Sequence, residues 1–184
     1  MTKIRPSKTI SSEIIIDNKY VTLKKDCFVS GDGKKGTYYF LTKPDAVMSI
    51  GMDEDRNLIL VKEYRYPLKK TIINASAGMI GKNESYINAA KREFLEETGY
   101  ATSDYIYLGK IPLITGKADN YIRFFFFPKC SKIQEPSGGD ITEQTKAYKI
   151  PVKKVWENIQ NNKIICPHTV VLLVKIMFFL KIQP

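Results

Sequence analysis

The chain predicts an α+β fold of mixed sheets with a few helices, and three observations carry that expectation. Segments rich in β-formers alternate with turn residues through the first third of the chain. One acidic helix with clear start and stop signals interrupts them, and one long apolar run lies near the C-terminus.

Taken in order, residues 12–16 and 19–29 read as strands, Gly31-Asp32-Gly33 as a turn, and residues 37–41 as a third strand. A second group follows at residues 46–50 and 58–66, separated by the polar turn at Asp53-Glu54-Asp55 and closed by Pro67. Residues 74–83 are small and polar and read as a loop. Residues 85–98 read as a helix that Ser85 caps and Gly99 ends. Strands are expected at 105–114 and 121–127, where Phe124 to Phe127 has no period, as in a strand buried on both faces. Residues 136–140 form a loop, 145–150 another strand, and Pro151 opens a short helix through Gln160. The run at 169–180 is shorter than the roughly 20 residues of a membrane span and contains Lys175, so it reads as a buried terminal helix at a subunit contact. Residues 1–45 are taken as an N-terminal β segment and 46–184 as the main domain.

At 184 residues the chain is long enough for a substantial core. Three isolated cysteines, Cys27, Cys130 and Cys166, with no paired spacing, argue against zinc clusters and a disulfide framework and fit a cytoplasmic protein. His168 is the only histidine, which leaves little material for a histidine triad; it reads as structural. The net charge of +10 favours anionic partners, phosphate esters or nucleic acid. Its lysines are scattered in doublets, however, as on an ordinary solvated surface.

The acidic helix carries the chemistry. Glu93, Glu96 and Glu97 are spaced i, i+3, i+4 and share one arc of the helix, while Ile87, Phe94 and Leu95 fall on another side. Clustered like charges weaken a helix slightly, whereas hard cations such as magnesium take oxygen ligands of this kind. An acidic solvated face is the plainer alternative for the helix alone. The flanks decide between the two. Gly78, five residues, Glu84, seven residues and then Arg92-Glu93-Phe94-Leu95-Glu96-Glu97-Thr98-Gly99-Tyr100 match every fixed position of the Nudix box, Tyr100 loosely.

The chain therefore resembles the Nudix hydrolases. The resemblance implies an α/β/α sandwich and a loop–helix–loop that binds Mg2+ or Mn2+ and cleaves phosphoanhydrides. It implies metal ligation by Glu93, Glu96 and Glu97, with Glu84 and the Ala77 carbonyl as further contacts, and a supporting role for Arg92 beside those acids. Outside the box, Glu63-Tyr-Arg-Tyr-Pro67, Ala77-Gly78 and the leading strands look like the ADP-ribose pyrophosphatase group. That likeness implies a homodimer with exchanged N-terminal segments and a phosphate contact from Arg65. It also implies a late-loop carboxylate, for which Glu143 aligns best, with Asp140 and Glu135 as neighbouring alternatives. The chain departs from the group in having Asn74 four residues before the box glycine, where the group carries glutamate, and Thr115-Gly116 where it favours Pro-Gly. The expected substrate is a nucleoside diphosphate linked to another moiety, ADP-ribose or a nucleotide sugar. An RNA pyrophosphohydrolase or decapping-type enzyme and a non-catalytic RNA-binding protein on the same fold are the alternatives.

Overall fold

The structure, a computed structural model, describes residues 4–137 and 145–183. The chain divides into two compact units. In the first, β1 (Lys8–Asp17), β2 (Thr22–Val29) and β3 (Lys35–Thr42) form an antiparallel sheet in that order. The Asn18 side chain accepts from the N–H groups of Tyr20 and Val21 and so makes the first turn, which shortens the strand expected from residue 19. Residues 113–120, which link two strands of the second unit, also belong to this first one: Leu41 N–H donates to the Lys117 carbonyl at 2.7 Å, and the Tyr38 hydroxyl donates to the Gly116 carbonyl at 2.7 Å.

The second unit holds β4 (Ala46–Met52), β5 (Asn57–Arg65), β6 (Lys70–Asn74), β7 (Ser76–Met79), α1 (Tyr86–Thr98), β8 (Tyr100–Ala101) and β9 (Ile106–Pro112). It continues through β10 (Tyr121–Phe127), β11 (Ser131–Lys132), β12 (Thr145–Pro151), α2 (Val155–Gln160) and α3 (Pro167–Phe179). The main sheet runs β12-β5-β4-β10-β9, with β6 beside β5 and β7 beside β4. β10 lies parallel to β4 and all its phenylalanines are buried, as its unbroken apolar run predicts. Alternate side chains of β10 serve opposite layers. Phe125 and Phe127 pack with Val47, Ala89, Ala90 and Phe94 under α1, while Phe126 meets Phe179 of α3 at 6.0 Å. The result is the expected mixed-sheet sandwich with helices on both faces.

Two local expectations are corrected. Residues 74–83 were expected as a loop, but 76–79 form β7, registered from Ala46↔Met79 to Ser49↔Ser76, and Asn74 ends β6. Small side chains carry no strand signal of their own; pairing with β4 supplies it. The strand expected through Tyr66 stops at Arg65, because Tyr66–Leu68 forms a 3-10 turn in which Pro67 has no N–H to offer a ladder. α3 buries Thr169, Leu172, Leu173, Ile176 and Met177, as expected of a terminal apolar helix. Among the described residues no helix is long and apolar enough to cross a membrane.

Candidate active site

α1 begins and ends where its cap residues dictate. The Ser85 side chain accepts from Asn88 N–H at 3.3 Å, and Gly99 closes the helix at φ 75°, its N–H donating to the Leu95 carbonyl at 2.8 Å. A Cβ on Gly99 would stand 2.1 Å from the Gln134 carbonyl oxygen, so both the left-handed turn and the neighbouring chain require glycine.

The four box acids have unequal environments. Arg92 is the hub: its Nε and one terminal nitrogen each donate to a Glu84 oxygen at 2.9 Å, and the other terminal nitrogen lies 2.7 Å from Glu93 and 3.4 Å from Glu96. Glu84 also accepts from Gly81 N–H at 2.9 Å. The Arg92 guanidinium, helped by that N–H, holds the Glu84 carboxyl down to about 2, and in return the acids raise Arg92 above its ordinary value. Glu96 is the most exposed of the four.

Glu97 differs from the rest. It is buried, and its Oε2 accepts from the Ala77 N–H at 3.2 Å. Burial pushes its carboxyl up to about 8, with the charges of Glu93 and Glu63 adding to the rise, against the lowering pull of the Ser76 hydroxyl and the Ala77 N–H. That hydroxyl is itself buried and closes no hydrogen bond of good geometry. So the three helix carboxylates differ in exposure along their shared arc: Glu97 and Glu93 lie against β7, Glu93 also meeting Arg92, and Glu96 reaches furthest toward solvent. Gly78 makes the close approach possible, since a Cβ there would lie 2.0 Å from Glu93 Cδ.

Among the described residues, no three His, Cys, Asp or Glu side chains converge as a metal centre, because Arg92 engages Glu93 and Glu96 while Glu97 turns to β7. The donor set nevertheless suits a divalent cation. It consists of carboxylate oxygens, one of them buried and short of positive charge, with a glycine cradle and an orphaned hydroxyl alongside. Glu143 and Asp140 lie outside the described residues. Glu135 is exposed and pairs with Lys132 at 2.5 Å.

Arg65, at the end of β5, reaches this region through an acid that sequence reasoning did not single out. Its guanidinium lies 2.7 Å from Glu63, which is buried and whose charge is felt at Glu97. Asn74, also buried, donates to Glu63 Oε2 at 3.2 Å. The signal was available: on a strand with two-residue alternation Glu63 shares the inward face of Val61, and an acid facing inward is rarely idle. Thr115 is exposed in the turn of the first unit.

The chain belongs to the Nudix family: the NUDIX domain model matches residues 42–165. It is an ADP-ribose pyrophosphatase-like member, a hydrolase of phosphoanhydride bonds. It is 28% identical over 171 residues to a methanol dehydrogenase activator from Bacillus methanolicus, covering 93% of this chain and 92% of that one. It is 26% identical over 157 residues to the ADP-ribose pyrophosphatase of Bacillus subtilis, covering 85% of each. A solved ADP compounds hydrolase superposes with a TM-score of 0.85 at 20% identity, over 98% of this chain and 97% of that one, which shows the shared fold.

Proposed function

We propose that this protein is a magnesium-dependent pyrophosphohydrolase, manganese serving as an alternative ion, that splits the diphosphate of ADP-ribose or a related nucleotide sugar. The observation that carries the reading is the buried Glu97 carboxyl on the Ala77 N–H, with Glu93 against Gly78 and the remaining box acids held by Arg92. Glu93, Glu96 and Glu97, with Glu84 and the Ala77 carbonyl, are the residues to hold the divalent ion. When bound, it neutralises the diphosphate and makes a water nucleophilic near neutral pH.

Arg92 keeps the carboxylates oriented, and Arg65 binds a phosphate oxygen. Glu143, or Asp140 or Glu135 in its place, is the late-loop acid that takes the proton of the attacking water. A water oxygen adds to phosphorus, the bridging P–O bond breaks, and ADP-ribose yields AMP and ribose 5-phosphate. The likeness to the Bacillus subtilis enzyme supports the substrate class. Retention of Glu84, Glu93, Glu96 and Glu97 favours hydrolysis over an RNA-binding role without catalysis. A homodimer and a cytoplasmic location belong to the same reading, the second supported by three free cysteines.

The test is product release with magnesium over a panel of ADP-ribose, nucleotide sugars, dinucleoside polyphosphates, capped RNA and nucleoside triphosphates. Diphosphate-linked compounds should give two monophosphates fastest. A triphosphate or capped RNA turned over far faster than all of them would overturn the substrate reading and leave the family chemistry standing.

A further inference from the structure

Behind Arg65 the structure holds a row of buried polar side chains that the box does not include. The Thr169 hydroxyl, in the first turn of α3, donates to Asn74 Oδ1, and Ala75 N–H donates to both atoms at 3.0 Å. The Asn74 amide donates to Glu63 Oε2, and Glu63 Oε1 takes the Arg65 guanidinium at 2.7 Å. Thr169, Asn74 and Glu63 are respectively 0%, 2% and 5% exposed, while the Arg65 side chain is 41% exposed. The row therefore starts at the N-terminal turn of a core helix, crosses two strands and ends on a cation that reaches solvent.

We propose that Glu63 is a positioning residue for Arg65, and that the Asn74 amide holds Glu63 in place for it. Register explains why an amide suits position 74. Asn74 pairs with Val61, so its side chain is the diagonal neighbour of Glu63 on the same face. A glutamate at 74 would set two buried carboxylates within hydrogen-bonding reach, and both cannot stay charged there. An amide at 74 instead donates to the acid and leaves the other Glu63 oxygen for Arg65. A long arginine at a strand end has many rotamers; an anchored carboxylate selects one and lowers the ordering cost when a phosphate binds.

The inference rests on the proposed phosphate contact of Arg65, and its test separates the two. Binding of non-hydrolysable α,β-methylene ADP-ribose and steady-state kinetics on ADP-ribose are measured for the wild type, Glu63→Gln, Arg65→Ala and the double variant. Glu63→Gln should raise Kd and KM by about tenfold, the scale of one charge-assisted hydrogen bond, and leave kcat within about threefold. In the Arg65→Ala background the same change should add little to Kd and KM, since the guanidinium that Glu63 places is gone. A Glu63→Gln penalty that persists without Arg65, or no penalty at all, overturns the positioning role. Arg65→Ala binding like the wild type removes Arg65 from the site and the proposal with it, while the product assay still judges hydrolysis separately. If Glu63→Gln fails to fold, Asn74→Ala breaks the row one residue earlier and enters the same cycle. The pairing of Glu63 with Asn74 is read by melting: Asn74→Glu should lower Tm, and Glu63→Gln/Asn74→Glu, again one acid and one amide, should recover it. A double variant no more stable than Asn74→Glu alone overturns that pairing.

Discussion

Glu97 and Gly78 show how single residues divide stability from chemistry. With its carboxyl pushed up to about 8, Glu97 is mostly protonated at neutral pH when no cation faces it. Glu97→Gln keeps its shape and its hydrogen-bonding reach to the Ala77 N–H. Turnover should fall by about a hundredfold or more, the scale of losing several kcal/mol of charge stabilisation, while the metal-free Tm holds or rises slightly. Full magnesium-dependent activity in this variant would remove Glu97 from the ligand set. Gly78→Ala tests the same cradle from the other side. The new methyl meets the flexible end of Glu93, so the carboxylate moves and the fold hardly suffers. Steady-state assays should show turnover down by about tenfold or more, with Tm within about 2 °C of the wild type.

Among the elements, α1 depends on its caps and β12 on one ion pair. Removing the Ser85 side chain leaves the Asn88 N–H without its acceptor, and Ser85→Ala should cost about 1 kcal/mol in urea unfolding. An unchanged midpoint would show that solvent replaces the cap. Lys149 of β12 reaches Asp53 at 2.7 Å in the turn between β4 and β5. Burial works against the Asp53 charge, yet Lys149 and the Asn57 amides outweigh it and hold the carboxyl below its ordinary value, while Asp53 raises Lys149. A lowered acid stabilises above its unfolded value and loses that contribution as pH falls through its folded one. A raised ammonium stabilises below its unfolded value and loses its contribution as pH rises through its folded one. Asp53→Asn should therefore cost most from about pH 5 to 9, roughly 1 kcal/mol because Lys149 is half-exposed, and the gap from wild type should shrink in acid below about pH 4. Chemical denaturation at several pH values reads this directly; a gap that widens in acid would contradict it.

For the whole molecule, two exposed apolar surfaces bear on assembly. β1 is exposed throughout and carries Ile10, Ile14, Ile15 and Ile16 along an edge strand, and α3 exposes Phe178 and Phe179. Edges and apolar faces of this kind are usually covered. Light scattering at micromolar concentration should report a dimer, and Ile14→Lys/Ile16→Lys should shift it toward monomer. A wild-type monomer across that range would count against the homodimer and its exchanged segments.

What could be read before folding was whatever lay close together along the chain. The caps of α1, its box spacing, the buried run of β10 and the terminal helix all depend on neighbours within a few residues, so the family and the layered architecture were legible. β7 was missed because Ser76, Ala77 and Gly78 have no strand preference until β4 pairs with them. Spacing placed Glu93, Glu96 and Glu97 on one arc of the helix, and only the packing of β7 against α1 made Glu97 a buried acid and left Glu96 half-exposed beside Arg92. The same holds for Asn74. In the sequence it is a departure from a motif; in the fold it links Thr169 to Glu63, residues 95 and 11 positions away, and such partners are set by tertiary burial, where each polar group must find another.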